Sequence, residues 1–155
     1  MTDPVIRPVP YASPEATGLV GAALVDLAQR YGGEGDATPV DPAQFTPPSG
    51  VFLVAWLDGQ PVGCGGWRTY HADPAVAEVK RMYTVPEARG RGVARALLGQ
   101  LEVTARAAGR KRIILETGNR QPEAIALYLA AGYVRIPDFG HYKDAPGVRS
   151  FGRDL

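Results

Sequence analysis

Leu19, Ala23, Leu27 and Tyr31 recur every fourth residue, which predicts one packed face of a helix. Ser13-Pro14-Glu15 supplies an N-cap and a proline at the first helical position, and Gly32-Gly33 ends the helix. Ahead of it, Val5–Val9 lies between prolines and reads as a short edge strand. Residues 32–50 are rich in Gly, Pro, Asp and Thr. They read as a long mobile loop, of the kind that often serves as a functional lid. Val51–Leu57 and Pro61–Tyr70 flank Asp58-Gly59, a hairpin signal. After a loop at His71–Pro74, Val76–Val85 reads as another strand, stopped by Pro86. The clearest helix is Gly92–Ala108. There Ala94, Leu97, Leu98, Leu101, Ala105 and Ala108 form one apolar stripe, and Gly109 sits at the C′ position. Arg112–Thr117 is the next strand, with Ile113, Ile114 and Leu115 expected to be buried on both faces. Pro122–Ala131 is a short helix closed by Gly132, and Tyr133–Ile136 and Val148–Arg153 are the last strands. The order β-α-β-β-β-α-β-α-β-β predicts a mixed sheet with helices on both faces.

Length and composition narrow this picture. With 155 residues, 45% hydrophobic and 21% charged, the chain is expected to form one ordered domain. Net charge +1 and pI ≈ 7.9 argue against a strongly basic nucleic-acid binder. Cys64 is the single cysteine, so neither an intramolecular disulfide nor a cysteine-based zinc site is expected. No apolar run approaches the ~18 residues of a membrane span. The start MTDPVIRPVP, with Asp3 and three prolines, is unlike a signal peptide. A soluble cytoplasmic protein without a membrane or nucleic-acid partner is the expectation. Of the 17 basic residues only Lys80, Lys111 and Lys143 are lysines, leaving 14 arginines. Arginine suits bidentate phosphate contacts, and a GC-rich genome gives the same bias.

The densest chemical signal is Arg89-Gly90-Arg91-Gly92-Val93-Ala94, between a strand and the strongest helix. Small residues let a ligand approach the backbone, and the first amides of a helix point outward unpaired. The helix dipole adds partial positive charge, which favours an anion such as a pyrophosphate. Arg89, Arg91 and Arg95 can supplement those amides. The competing reading is an ordinary Gly-rich turn with exposed arginines. GxxxxGK[ST] is absent, and so is G-x-G-x-x-G, because Gly90 and Gly92 are followed by Arg95.

Arg89-x-x-Gly92-x-Ala94 resembles the Gln/Arg-x-x-Gly-x-Gly/Ala acetyl-CoA motif of the GNAT superfamily of N-acetyltransferases. The preceding stretch Glu78–Glu87 resembles that family's fourth strand. Ala124-Ile-Ala-Leu-Tyr-Leu-Ala-Ala-Gly-Tyr133 resembles its A-x-x-L-Y-x-x-x-G-Phe/Tyr signature. The three stand in the family's order, and the match in order and spacing covers residues 51–136 strongly and most of the chain loosely. The resemblance implies an α/β GNAT fold: a mixed, mostly antiparallel six- to seven-stranded sheet that splays into a V between the fourth and fifth strands, with helices on both faces. It also implies acetyl-CoA as donor and no metal. The pantetheine would pair with backbone of Met82, Tyr83, Thr84 and Val85, and the pyrophosphate would rest on amides of Gly90, Arg91, Gly92, Val93, Ala94 and Arg95. The family often has Asn three residues before the Ala of the last signature; this chain has Gln121 there and Asn119 two residues earlier. The pantetheine contact stays open between those two.

Acyl transfer from a thioester to an amine needs a base for the amine, a donor for the oxyanion and an acid for the thiolate. Tyr128 matches the family's general-acid tyrosine, and its phenol, with pKa ~10, suits a thiolate whose conjugate acid has pKa ~8.5. The competing reading is a tyrosine packed beside Ile125 and Leu129. Glu78 stands eleven residues before Arg89, the spacing of the catalytic glutamate in the histone-modifying branch. It is the candidate base, directly or through water; the competing reading is an ion pair with Lys80 or Arg81. Alternation places Glu78, Lys80, Met82 and Thr84 on one face and Val79, Arg81, Tyr83 and Val85 on the other. A backbone N–H near Tyr83 is the candidate oxyanion donor. His71 and His141 lack metal-ligand spacing and read as surface residues. Cys64 reads as a small buried hydrophobe. Trp67, Arg68 and Tyr70 stand where they could shape acceptor binding or cap the sheet.

The expected function is therefore transfer of acetyl from acetyl-CoA to a primary amine of a small molecule or peptide. A non-catalytic acyl-CoA-binding or sensing domain on the same fold is the alternative, and a regulatory module that binds ATP at the same loop is a third. The family resemblance leaves homodimerisation through the last strands open.

Overall fold

The computed structural model describes residues 3–155. Strand β1 (Val5–Pro8) leads into helix α1 (Pro14–Tyr31), whose N-cap Ser13 accepts from the Ala16 amide at 3.3 Å. Strands β2 (Gly50–Leu57) and β3 (Gln60–Tyr70) form a hairpin, and β4 (Asp73–Thr84) follows. Helix α2 (Val93–Ala107), β5 (Arg112–Gly118), α3 (Pro122–Ala130), β6 (Val134–Arg135) and β7 (Val148–Asp154) complete the chain. The hairpin turn uses Asp58 at φ 51° and Gly59 at φ 79°, the two positive φ values that a type I′ connection requires.

The seven strands form one sheet in the order β1-β2-β3-β4-β5-β7-β6. Its faces are covered separately. Val51, Leu53, Ala55 and Leu57 of β2 pack toward Leu97, Leu98 and Leu101 of α2. The alternate residues Phe52 and Val54 pack with Ala16, Leu19 and Val20 of α1. The period-two pattern of β2 thus feeds two cores, and the strand is buried on both sides. Of the stripe expected on α1, Leu19 and Ala23 reach the core, while Leu27 and Tyr31 line a cleft instead.

The 32–50 loop carries a 3-10 turn at Pro42–Phe45, capped by Asp41 with a reciprocal bond from Gln44. Phe45 is buried and stacks on Tyr11 at 4.9 Å, so this half of the expected mobile loop is anchored. β4 begins three residues earlier than the sequence predicts, and β6 spans only Val134–Arg135 rather than Tyr133–Ile136.

Two irregularities of β4 shape the molecule. Cys64 pairs with Tyr83 and Gly66 with Lys80, so Gly65 alone faces Arg81 and Met82. This is a β-bulge, and Arg81 sits in it at φ 64°. A Cβ on Gly65 would collide with the Met82 sulfur. The bulge resets the alternation, which corrects the expected faces. Met82 packs toward α2, whereas Tyr83 packs toward α1, the side on which Lys80 meets Asp36. The second irregularity is the pairing with β5. It is parallel and covers only Val76↔Arg112, Ala77↔Ile113 and Glu78↔Ile114. Beyond Glu78 the bulged strand bends away, as bulges do, while β5 continues along β7 to Gly118. The sheet therefore opens into a V. Among the described residues no helix is long and apolar enough to cross a membrane.

Candidate active site

The turn before α2 leaves its main-chain amides exposed and unbonded. Gly90 and Gly92 have φ of 77° and 79°, a region that glycine enters without strain. A side chain at either position would meet nothing within 4 Å, so the space over the turn is open. Gly92 caps α2 with no side-chain bond to the helix, and the first helical amide to find a carbonyl is that of Ala96, 3.0 Å from Gly92 O. Among the described residues no protein group accepts from the amides of Gly90 to Arg95. Those amides, with the dipole of a 15-residue helix behind them, fit a diphosphate. Arg91 and Arg95 are exposed beside them. Arg89 behaves differently: its Nε donates to Thr84 O at 3.0 Å, its Nη2 lies 3.6 Å from Asp26, and its guanidinium covers the Tyr83 ring. That side chain ties the turn to β4 and α1 rather than reaching over the amides.

The V between β4 and β5 holds a cleft of about 560 Å³. β4 lines it with Val79, Lys80, Arg81 and Met82, and β5 with Leu115 to Gly118, followed by Asn119. Tyr83, Thr84 and Val85 connect this stretch to the anion turn along the chain. Because β4 and β5 are unpaired here, their facing backbone edges can bond an extended amide-bearing chain such as pantetheine. The Tyr31 hydroxyl closes one wall: it donates to Gln121 Oε1 at 3.3 Å and accepts from the Arg120 amide at 3.1 Å. Asn119 and Gln121 both line the cleft, with the Gln121 oxygen held by Tyr31 and the Asn119 side chain packed on Gly147.

Tyr128, from α3, lines the same cleft. Its ring is buried between Tyr133 and Phe151, at centroid distances of 5.8 and 6.3 Å. No protein group among the described residues hydrogen-bonds its hydroxyl. Burial pushes the phenol well above its ordinary value, so it stays protonated and able to donate.

Deeper in the V lies a polar cluster that sequence reasoning missed. Asp36, from the loop after α1, pairs with Arg81 and lies 3.9 Å from Lys80 Nζ. Burial raises the Asp36 pKa, but Lys80, Thr38 and Arg81 outweigh it and hold the carboxyl below its ordinary value. Burial lowers the Lys80 ammonium against the opposing pull of Asp36, Glu78 and Glu116. Glu116 of β5 is raised, first by burial. Its Oε2 accepts from the Tyr142 amide at 3.1 Å, and its Oε1 is buried without a partner. The Tyr142 hydroxyl donates to Asp36 at 3.1 Å, which pins the 137–147 loop over the cluster.

Glu78 is not among the residues lining this cleft. It sits at the point where β4 and β5 part, buried, and it accepts from Arg68 Nε at 3.1 Å. Arg68 is its register partner on β3; the sequence suggested Lys80 or Arg81 instead. Glu78 opens onto a second hollow of about 400 Å³ that also contains Arg68, Tyr70, His71 and His141. Cys64 is fully buried, donates to Arg81 O at 3.3 Å, and burial pushes its thiol up to about 12. Trp67 is buried too, with its indole N–H on Thr104 at 3.0 Å, so it serves the core.

The family model described as "Acetyltransferase (GNAT) family" matches residues 21–133. An IAA acetyltransferase of Azospirillum brasilense is 40% identical over 129 residues, 79% of this chain and 82% of that protein. A crystal structure of a candidate acyl-CoA N-acyltransferase from Klebsiella pneumoniae superposes with a TM-score of 0.81 at 29% identity, covering 98% of this chain and 97% of that one. A GNAT-family acetyltransferase from Staphylococcus aureus shares the fold, with a TM-score of 0.76 at 17% identity over 97% of this chain and 99% of that one. The seven-stranded sheet split after Glu78, the unclaimed amides before α2 and the family match agree: the chain belongs to the GNAT family of acetyltransferases.

Proposed function

We propose that this protein transfers the acetyl group of acetyl-CoA to a primary amine of a small molecule or peptide by direct attack. The observation that carries the reading is the set of free amides at Gly90–Arg95, which follow along the chain from the β4 edge of a cleft that Tyr128 also lines. Acetyl-CoA, when bound, supplies an activated acyl carbon: the amine nitrogen bonds to that carbon, the C–S bond breaks, and the proton lost by nitrogen is balanced by the one gained by sulfur.

The chain's own residues divide the work. The amides of Gly90 to Arg95, with Arg91 and Arg95 beside them, hold the diphosphate. The β4 edge at Met82–Val85 and the side-chain amide of Asn119 or Gln121 orient the pantetheine arm. The main-chain N–H beside Tyr83, next to the bulge, donates to the oxyanion. Tyr128 donates its phenolic proton toward the departing sulfur and regains one from solvent. Glu78 takes the amine proton through water from the neighbouring hollow. One observation favours a second carboxylate for that step: Glu116 lines the same cleft as Tyr128, and burial raises its pKa toward that of a more effective base. Acetyl-CoA is a cytoplasmic metabolite, so this reading places the protein there.

The test is release of CoA thiol from acetyl-CoA across a panel of amines, alongside calorimetry with CoA and with ATP. Thiol release that depends on an amine supports the reading. CoA binding without release on any amine favours a sensing domain, and ATP binding in preference to CoA would overturn the assignment.

A further inference from the structure

Asp36 and Glu116 match Lys80 and Arg81 in number in the V, but their oxygens leave donors of both cations unfilled. Lys80 and Arg81 are both deeply buried, with side chains 7% and 6% exposed. One carboxylate stands between them, and other donors already occupy it. Asp36 Oδ1 accepts from the Thr38 amide at 2.9 Å, from the Thr38 hydroxyl and from Tyr142 at 3.1 Å, and Oδ2 accepts from Arg81. Lys80 Nζ is 3.9 Å from Asp36, beyond hydrogen-bond distance, and its one bond is to the Thr38 hydroxyl at 3.2 Å. The remaining carboxylates do not complete it. Glu78 is taken by Arg68, Glu116 gives Oε2 to the Tyr142 amide, and Lys80 forms an ion pair with neither. Arg81 Nε is likewise buried without an acceptor. Asp36 shares its charge with Lys80 at 3.9 Å, yet a buried ammonium whose one hydrogen bond goes to a neutral hydroxyl keeps donors that an anion would fill favourably.

The place of these open donors matters. Lys80 lies on the far side of Met82–Val85 from the anion turn, so the diphosphate is not its partner. The pantetheine and thioester carry no charge. An anion that fills the open donors of Lys80 would come from the other substrate. We propose that the amine acceptor carries a carboxylate, as an amino acid does, and that Lys80 binds it in the V. The proposal rests on the acetyl-transfer reading above and adds the acceptor's class. The 137–147 loop, pinned through Tyr142 to Asp36 and Glu116, would then close over an acidic acceptor.

The experiment compares matched pairs: amino acids against the amines left by their decarboxylation, aromatic and aliphatic. Two quantities are read, kcat/KM from CoA release and the binding of the N-acetylated products to the CoA-loaded protein by calorimetry. The carboxylated member should be preferred by about tenfold or more in at least one pair, as expected for a charge-assisted bond. Lys80→Met should bring that ratio to within about threefold of unity, and Lys80→Arg should restore much of it. Far-ultraviolet circular dichroism and CoA affinity serve as fold controls. If no pair shows preference in either turnover or product binding, or if Lys80→Met keeps the wild-type ratio, the proposal is overturned. Failure of the underlying reading looks different: CoA itself would not bind, or no amine of either kind would release thiol.

Discussion

The ring of Tyr128 lies 5.8 Å from that of Tyr133, inclined at 54°, and this packing leaves its hydroxyl without a protein partner. Removing that oxygen therefore breaks no hydrogen bond of the fold. Tyr128→Phe should keep CoA affinity and thermal stability close to wild type while turnover falls tenfold or more, about 1.4 kcal/mol of transition-state stabilisation. Steady-state rates paired with CoA calorimetry read both. An unchanged turnover would remove Tyr128 from the chemistry.

Asp36 is the shared counter-ion of two buried cations, so Asp36→Asn should cost on the order of 3 kcal/mol near neutral pH. The pH dependence has a definite sign. Asp36 titrates below its ordinary 3.8 in the folded protein, so its contribution is full above that value and is lost as pH falls through the depressed folded one. Urea melts from pH 7 down to pH 2 should show the gap between wild type and variant narrowing only below about 3.8. A constant gap would mean that the charge of Asp36 is not what stabilises the loop.

The anion turn makes two different demands on its residues. Arg91 and Arg95 are exposed and among the described residues make no side-chain hydrogen bond or ion pair, so Arg91→Ala with Arg95→Ala should change stability by less than about 0.5 kcal/mol. The same double variant should weaken CoA tenfold or more and flatten its salt dependence. Gly92→Ala forces alanine to φ 79° and should cost about 1 kcal/mol of stability as well as CoA affinity. Wild-type CoA affinity in both variants would place the diphosphate elsewhere.

Glu78 and Glu116 can be separated by rate and stability together. The base must be ionised, so the acid limb of the kcat/KM profile belongs to whichever residue serves. If Glu116 serves, that limb lies above 4.5, because its folded value is raised from there, and Glu116→Gln abolishes it. A carboxyl raised by folding costs stability once pH exceeds its folded value. Glu116→Gln should then melt at or above the wild-type temperature at pH 7. Glu78→Gln leaves Arg68 without its partner and should melt lower; a lost acid limb in this variant instead would assign the relay to Glu78.

Local signals made much of this architecture legible. The stripe Leu97, Leu98, Leu101 and Ala105 is buried as the sequence predicts, and Asp58-Gly59 forms the expected two-residue turn. The free amides before α2 follow from glycine conformation and helix geometry alone. The bulge at Arg81 was not foreseen, because a positive φ at arginine has no propensity signal; Gly65-Gly66 inside β3 was the available hint. The anchored 3-10 turn was announced by Asp41-Pro-Ala-Gln44, a capping-box spacing. Asp36 meets Arg81 across a separation of 45 residues, and no local rule brings such residues together. The same holds for Arg68 with Glu78, which depends on strand register.

Only three ladder positions carry the sheet across its middle, from Val76 to Glu78 against Arg112 to Ile114. Cohesion across that seam rests on the layer beneath, where Ala77, Val79, Ile113 and Leu115 share one core with α2. An extended guest lying between the strands would supply the missing rungs and act as a splice joining two halves of the molecule. Loading would then be a mechanical event as much as a chemical one, with the β4 and β5 amides beyond Glu78 exchanging more slowly once the guest is in place.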